Sequence, residues 1–167
     1  MTVTLKQVLE AKGSGVISVL PSDPASEAVA LMCRHSVGCV LAISDGSLQG
    51  IFTERDAMRR ILAARLDPRS TPVGAVMSRN VRCASISTTL DEAMHMMTKG
   101  RHRHLPVVER GSVVGIVSIG DMVKWTAQDL EQHVMELSVL VAGPCAQPDL
   151  PTLPPLPKQR PSQSNRA

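Results

Sequence analysis

The spacing of apolar residues predicts two amphipathic helices of the same design. In each helix the apolar positions recur at i, i+3, i+4 and i+7, which brings their side chains to one face. These positions are Ala25, Ala28, Val29 and Met32 in the first helix and Leu90, Ala93, Met94 and Met97 in the second. Asp23-Pro24 is typical of an N-cap followed by a first-turn proline, and Thr89 with Glu92 predicts a capping box.

Short apolar runs around glycine-containing turns predict a β-hairpin after each helix. The runs 39–43 and 48–52 flank Asp45-Gly46, and the runs 105–108 and 113–117 flank Arg110-Gly111. A further apolar-spaced helix closes each copy. An extended segment, 16–20 or 81–85, precedes the first helix of each copy. The pattern therefore predicts a β-α-β-β-α unit that occurs twice.

The second unit is a gapless repeat of the first. Residues 50–56, Gly-Ile-Phe-Thr-Glu-Arg-Asp, recur as residues 115–121, Gly-Ile-Val-Ser-Ile-Gly-Asp, and the same offset of 65 positions aligns Met32 with Met97. One unit alone would leave a face of its small sheet uncovered, so burial against the other copy is expected. We predict an α+β fold of two β-α-β-β-α repeats with approximate two-fold symmetry and a cleft along their junction.

Composition divides the chain into three predicted segments. Residues 1–67 form the first repeat and residues 68–142 the second, with a proline-bounded linker at 68–72. Residues 143–167 hold seven of the 12 prolines and almost no apolar mass, which predicts a flexible tail. Recognition of this tail by a proline-binding partner is an alternative.

Charge and aromatic content exclude several function classes. Aromatic residues make up 1% of the chain, which leaves almost no surface for stacking single-stranded nucleic acid. The formal net charge is +3, and three basic residues against one acid from Gly143 onward contribute +2 of it. The remainder of the chain is nearly neutral, so the pI does not indicate a duplex-binding face. We expect no nucleic-acid partner.

The cysteines and the hydropathy pattern suggest a cytoplasmic protein. Cys33, Cys39, Cys83 and Cys145 form no C-x-x-C pair and no Cys/His quartet, so we expect buried thiols in a reducing compartment. Lys6, Glu10 and Lys12 interrupt any signal-like apolar stretch, and no apolar run reaches the roughly 20 residues that a membrane-spanning helix needs.

Two strand-to-helix corners are the strongest candidates for function. Thr53 is followed by Asp56, and Ser118 by Asp121, which is the pattern of a capping box and needs no ligand. The same geometry offers N–H groups and a positive helix end to a phosphate, and a carboxylate to a ribose diol. Duplication favours the ligand hypothesis. Gly50 and Gly115, which lack side chains, are expected to allow a ligand to approach closely.

A basic segment, residues 101–104 (Arg-His-Arg-His), enters a strand of the second repeat. Since alternate residues of a strand face opposite sides, we expect at most two of the four to serve one cleft. Arg103 is a candidate fork donor to phosphate and His104 a hydrogen-bonding wall, unless the segment is simply solvated. The first repeat has Ser-Val-Gly-Cys at 36–39, so its equivalent site is expected to lack this charge. His102 and His104 have no evident third ligand, and we predict no metal site.

The Gly-Ile-x-Thr/Ser-x-x-Asp pair, the Arg-His-Leu-Pro-Val-Val strand at 103–108 and the gapless duplication together resemble a tandem cystathionine-β-synthase (CBS) domain pair, or Bateman module. The resemblance covers roughly residues 4–141 and is nearest to stand-alone bacterial CBS-pair proteins. It implies regulatory binding of adenine nucleotides (AMP, ADP, ATP, sometimes NAD or S-adenosyl compounds) between the repeats, and pairing into a disc-shaped homodimer.

The resemblance also implies roles for individual residues. Thr53 and Ser118 would contact phosphate, Asp56 and Asp121 the ribose, and Arg55 would neutralise phosphate. The complete expected nucleotide-binding set is Thr53, Arg55, Asp56, Arg103, His104, Pro106, Ser118, Gly120 and Asp121.

The residues indicate a sensor and not an enzyme. We find no nucleophile with a base and an orienting group, so no catalytic residue and no required cofactor are predicted. The expected mechanism is a population shift in which a nucleotide favours one arrangement of the repeats, which an effector protein would detect. A purely structural dimerisation module and a nucleotide-processing enzyme that uses a histidine are the alternatives.

Overall fold

The structure, a computed structural model, describes residues 3–13 and 15–142, and the predicted proline-rich tail lies outside the described residues. Contacts divide the chain into two compact units, one up to Gln128 and one from Asp129 onward. The elements of the first repeat are β1 (Ser18–Val19), α2 (Ala25–His35), β2 (Cys39–Ser44), β3 (Ser47–Thr53) and α3 (Glu54–Asp56), which a π-helix (Ala57–Leu62) continues. Those of the second are β4 (Ala84–Ser85), α5 (Leu90–Gly100), β5 (His104–Glu109), β6 (Ser112–Ser118) and α6 (Ile119–Ala142).

Each repeat contains a three-stranded sheet with the same topology. The short first strand pairs in parallel with the middle strand, which pairs antiparallel with the third, in the orders β1-β2-β3 and β4-β5-β6. A register shift interrupts both hairpins at equivalent places, between Ala42 and Ile43 and between Val107 and Val108. The predicted α+β fold of two β-α-β-β-α repeats is confirmed, with first strands of only two residues.

The caps of the two first helices differ. Thr89 and Glu92 form the predicted capping box at α5, with the Thr89 N–H donating to Glu92 Oε2 at 2.9 Å and the Glu92 N–H donating to Thr89 Oγ1 at 3.2 Å. At α2 the N-cap residue is Pro24, which has no capping side chain, and Asp23 Oδ2 instead accepts the Leu20 N–H at 2.7 Å. The prediction of an Asp23 cap was therefore wrong, because that carboxylate closes the preceding turn.

Two helices outside the repeat unit, α1 (Leu5–Lys12) and α4 (Val73–Val76), cover the sheets. Leu5 and Val8 of α1 are buried with Leu105 and Val107 of the second sheet, although α1 precedes the first repeat. The Leu5 N–H also donates to Thr88 O at 2.9 Å. The segments 1–67 and 68–142 thus describe the sequence repeat, whereas the second core includes a helix from the first segment.

The exchange is reciprocal. Val73 and Val76 of α4 pack in the first core with Val40 and Phe52, and the Val73 N–H donates to Asp23 O at 2.8 Å. A third apolar cluster lies between β3 and β6 and joins the two repeats. Its buried members are Cys39, Leu41 and Ile51, packed against Val16, Ile43, Leu48, Val81, Val113 and Ile116.

The prediction that the cysteines are buried holds for only some of them. Cys39 is buried in the cluster between the repeats, and burial raises the pKa of its thiol to about 12, so it remains protonated and unreactive at neutral pH. Cys83 is half-buried, but Cys33 lies exposed on the outer side of α2, where the expectation of burial was wrong. Cys145 lies outside the described residues.

Gly50 and Gly115 allow protein segments, not a ligand, to approach the strands. A Cβ atom on Gly50 would lie 2.5 Å from Met77 Sδ and 2.9 Å from Ser78 O, and one on Gly115 would lie 2.6 Å from Leu9 Cδ2. The expectation that these glycines open space for a ligand was wrong, because the chain that follows α4 and the helix α1 occupy that space.

We predict that Gly50→Ala lowers the free energy of unfolding by about 1–3 kcal/mol, since the added methyl must displace the Ser78 backbone as well as Met77. Gly120→Ala is the control: the nearest atom to its Cβ would be Ser118 Oγ at 3.6 Å, and alanine suits its place in α6. Urea unfolding measures both variants. Equal stabilities would contradict the packing of Met77 and Ser78 described above.

Candidate functional site

The first corner is a complete capping box. The Thr53 N–H and Oγ1 both donate to Asp56 Oδ2, at 3.0 and 2.7 Å, and the Asp56 N–H donates back to Thr53 Oγ1 at 3.2 Å. Ser78 donates to the other carboxylate oxygen, Oδ1, at 3.3 Å, and Arg60 Nε lies 3.4 Å from it. Asp56 is only 8% exposed, so both oxygens of its carboxylate are occupied by the protein itself.

The second corner repeats the box in a more open setting. The Ser118 N–H and Oγ donate to Asp121 Oδ2 at 2.7 and 2.8 Å, and the Asp121 N–H donates to Ser118 Oγ at 3.2 Å. Lys12, the last residue of α1, donates from Nζ to the same Oδ2 at 2.6 Å and to Ile116 O at 3.2 Å. Within the described residues Asp121 Oδ1 accepts no hydrogen bond, so this carboxylate has one oxygen without a partner.

Lys12 and Ser78 contact the two carboxylates but were missed from the sequence. Neither belongs to the repeated corner motif, and the offset of 65 aligns Lys12 with Met77, the neighbour of Ser78. This alignment is the one sequence signal that could have pointed to both residues. It indicates a contact with the carboxylates only once α1 and α4 are known to cover opposite sheets.

The carboxyl group of Asp121 is held in its charged form. Burial alone would raise its pKa, but the hydrogen bonds from Lys12 and Ser118 outweigh burial and hold the pKa below its ordinary value. The negative charge therefore persists throughout the neutral range and is matched by the Lys12 ammonium.

Each corner opens into a cleft whose opposite wall comes from the other repeat. The first cleft, about 290 Å³, joins Thr53 and Asp56 to residues 101–104 of the second repeat. We call it the arginine cleft, because six arginines line it: Arg55, Arg59, Arg60, Arg82, Arg101 and Arg103. The second cleft, about 320 Å³, joins Ser118, Asp121 and Lys12 to residues 36–39 of the first repeat.

Because each cleft combines a corner of one repeat with a loop of the other, the basic segment 101–104 lies at the opposite site from the one expected. The first repeat's site was expected to lack the charge of residues 101–104, but these residues line the cleft that contains Thr53 and Asp56. All four line that cleft, because β5 begins only at His104 and Arg101 caps α5 in the left-handed conformation, with φ of 52°. The strand-alternation argument for two of four was therefore wrong.

In each repeat, a backbone hydrogen bond joins the loop before the middle strand to the first residue of the corner helix. The Glu54 N–H donates to Gly38 O at 3.1 Å, and at the equivalent place the Ile119 N–H donates to Arg103 O at 2.9 Å. These bonds use the first N–H of each helix. An anion at either corner would therefore find this backbone donor already occupied.

His104 borders both clefts. A Cβ atom on Gly38 would lie 3.1 Å from its Cε1 atom, so the imidazole ring packs closely over the glycine. Burial, and then the positive charge of Arg103, lowers the pKa of His104. The ring is therefore mainly neutral at pH 7 and presents one donor and one acceptor.

Cross-cleft contacts are few and exposed. Arg103 Nη2 lies 3.7 Å from Glu54 Oε2, and Arg55 Nη1 donates to Arg101 O at 3.5 Å. Two of the expected binding residues line neither cleft: Pro106 is fully buried in β5 opposite Ile116, and Gly120 is exposed at the start of α6. Their assignment to the nucleotide-binding set remains a prediction.

Residues 3–13 and 15–142 contain no group of three or more His, Cys, Asp or Glu side chains able to hold a metal ion. Among the helices in these ranges, none combines the length and the apolar character needed to cross a membrane.

Comparison with known proteins identifies the family. The CBS-domain family model matches residues 3–63 and 73–127. The CBS domain-containing protein YhcV of Bacillus subtilis is 33% identical over 118 residues, which cover 71% of this chain and 84% of YhcV. The chain therefore belongs to the CBS-domain family, as a tandem CBS pair.

Solved structures share the fold. A protein with CBS domains from Burkholderia ambifaria is 35% identical and matches with a TM-score of 0.74 over 76% of this chain and 96% of its own. A CBS-domain protein of Pyrobaculum aerophilum, complexed with AMP, is 21% identical and matches with a TM-score of 0.64 over 71% of this chain and 89% of its own. The second similarity concerns the fold alone.

We predict that Asp121→Asn destabilises the protein by about 1 kcal/mol at pH 7, because the amide weakens the bonds from Lys12 and Ser118. Since the folded pKa of Asp121 lies below the ordinary value of 3.8, this stabilisation is complete above that value and is lost as the pH falls through the folded pKa. Urea unfolding between pH 7 and pH 3 measures the difference.

Asp91→Asn, on the exposed first turn of α5, controls for the loss of one carboxylate. A difference between wild type and Asp121→Asn that stays constant through the acid range would show that Asp121 does not titrate as described.

Proposed function

We propose that this CBS pair is a regulatory module that binds adenine nucleotides, such as AMP, ADP, ATP or NAD, in the clefts between its repeats. One observation carries the proposal: each hydroxyl–carboxylate corner opens into a cleft walled by the opposite repeat. A ligand there would contact both repeats at once. The Pyrobaculum aerophilum complex supports the proposal in so far as the same fold accommodates AMP.

The two corners would receive a nucleotide differently. At the second corner, Asp121 Oδ1 is available to a ribose hydroxyl while Oδ2 stays bonded to Ser118 and Lys12. At the first, Ser78 and Arg60 already occupy Asp56 Oδ1, so a ribose must share or displace them. Thr53 and Ser118 remain the proposed phosphate contacts, since each hydroxyl lies beside the start of a helix.

Binding would act by shifting the arrangement of the repeats. A nucleotide that contacts a corner of one repeat and the loop of the other favours the arrangement in which both contacts are made. We propose no catalytic role and no required cofactor. An effector protein that detects the change and a cytoplasmic location remain predictions.

A second candidate function is a structural dimerisation module without a ligand. It is favoured by the completeness of both capping boxes, in which hydroxyl and carboxylate satisfy each other. The two candidate functions make different predictions for a binding measurement: the regulatory module binds a nucleotide and the structural module does not.

We expect isothermal titration of the purified protein with AMP, ATP and NAD to show binding of at least one of them. Asp121→Ala should weaken binding at the second cleft about tenfold or more, because it removes the carboxylate oxygen proposed for the ribose. Asp91→Ala should bind as wild type does. Absence of heat and of thermal shift with all three nucleotides would favour the structural module.

We also propose that the protein forms a homodimer through apolar side chains on its second helices. Met58 and Leu62 of the π-helix are 61% and 71% exposed, and Val123 of α6, which the repeat aligns with Met58, is 57% exposed. Burying such exposed apolar side chains against a second copy would be favourable. In the second unit, Leu130, Val134 and Leu137 are also exposed, at the four- and three-residue spacing of a helix-pairing seam.

Replacing Met58 and Val123 together with glutamate should yield a monomer, because the charges cannot be buried in an apolar interface. Light scattering after size exclusion measures the mass. Arg34→Glu, on the exposed side of α2, is the control and should leave the mass unchanged. A wild type that is monomeric at all concentrations would contradict the proposal.

A further inference from the structure

The two clefts have the same backbone plan but very different charge. Six arginines and one carboxylate, Asp56, line the arginine cleft. The second cleft is lined by one lysine and one carboxylate, Lys12 and Asp121, which neutralise each other at 2.6 Å. Two sites built by duplication therefore differ in charge: one is strongly positive and the other is close to neutral.

Half of the six arginines have no internal role that accounts for them. Arg60 donates to Val76 O and lies beside Asp56, Arg55 donates to Arg101 O, and Arg103 pairs with Glu54. Within the described residues the side chains of the other three make no hydrogen bond or ion pair. These three are Arg59, Arg82 and Arg101.

Concentrating unpaired guanidinium groups around one cleft is unfavourable without an anion. Each guanidinium repels the others, and each presents a fork of donors suited to phosphate oxygens. The three come from separate parts of the chain: the π-helix, the segment before β4 and the end of α5. The tertiary fold therefore brings these three arginines into the cleft that contains Thr53 and Asp56.

We propose that the arginine cleft selects nucleotides by the length of their phosphate chain and binds a nucleoside triphosphate in preference to a monophosphate, whereas the second cleft does not discriminate by charge. This rests on the proposed nucleotide binding and adds the ligand class of one cleft. The corner holds the ribose and the first phosphate, and Arg59, Arg82 and Arg101 contact the terminal phosphates.

Titration with ATP, AMP and adenosine, without added Mg²⁺ so that the phosphate charge is not masked, tests the proposal. At low salt we expect one class of site to bind ATP about tenfold more tightly than AMP, and the ratio to fall as salt is added. Inorganic tripolyphosphate should displace ATP from that site. Equal affinity for AMP and ATP, or failure of tripolyphosphate to compete, would overturn the inference while leaving nucleotide binding intact.

Variants test whether the preference for ATP over AMP comes from the arginine cleft. The triple variant R59Q/R82Q/R101Q should lose the preference for ATP, with a much smaller effect on AMP. A matched variant, R34Q/K99Q/K124Q, removes three exposed positive charges that line neither cleft and should retain it.

Survival of the preference in the triple variant, or its loss in the matched variant, would refute the assignment. Absence of binding by ATP, AMP and adenosine alike would instead refute the proposed function itself, together with this inference.

Discussion

Exchange of covering helices between the repeats is the interaction on which the rest of the structure depends. Each three-stranded sheet is too small to bury its own face, and the helix that covers it precedes the other repeat in the sequence. The same packing brings Lys12, at the end of α1, to Asp121, and Ser78, just after α4, to Asp56. The packing that forms the two cores therefore also positions the residues that contact the corner carboxylates.

The exchange also explains why the strand glycines are needed. Gly50 and Gly115 allow the chain after α4 and the helix α1 to lie against the sheets at van der Waals distance. A side chain at either position would push a covering segment outward and disturb the partner of a corner carboxylate. Glycine here preserves the site indirectly, by preserving the packing that positions it.

Duplication conserved the corners, whereas the loops opposite them diverged. Both corners are closed by the same reciprocal hydrogen bonds within a few tenths of an ångström. Because each cleft combines a corner of one repeat with a loop of the other, the change from residues 36–39 to 101–104 alters the cleft of the opposite repeat. His104, which borders both clefts, is the one side chain among the described residues that combines membership of that loop with contact to each cavity.

Local pattern was enough to predict the helices α2 and α5, the two hairpins and the capping residues Thr89, Thr53 and Ser118, because periodicity, turns and caps depend on neighbours within a few positions. The gapless repeat further indicated two copies and a shared cleft. Only the tertiary structure decided that α1 and α4 cover opposite sheets, that residues 101–104 face Asp56, and that Pro106 is core. Those outcomes depend on which distant surfaces meet. The energy of burial between segments whose contacting residues lie 22 to 109 positions apart is not encoded in any local spacing.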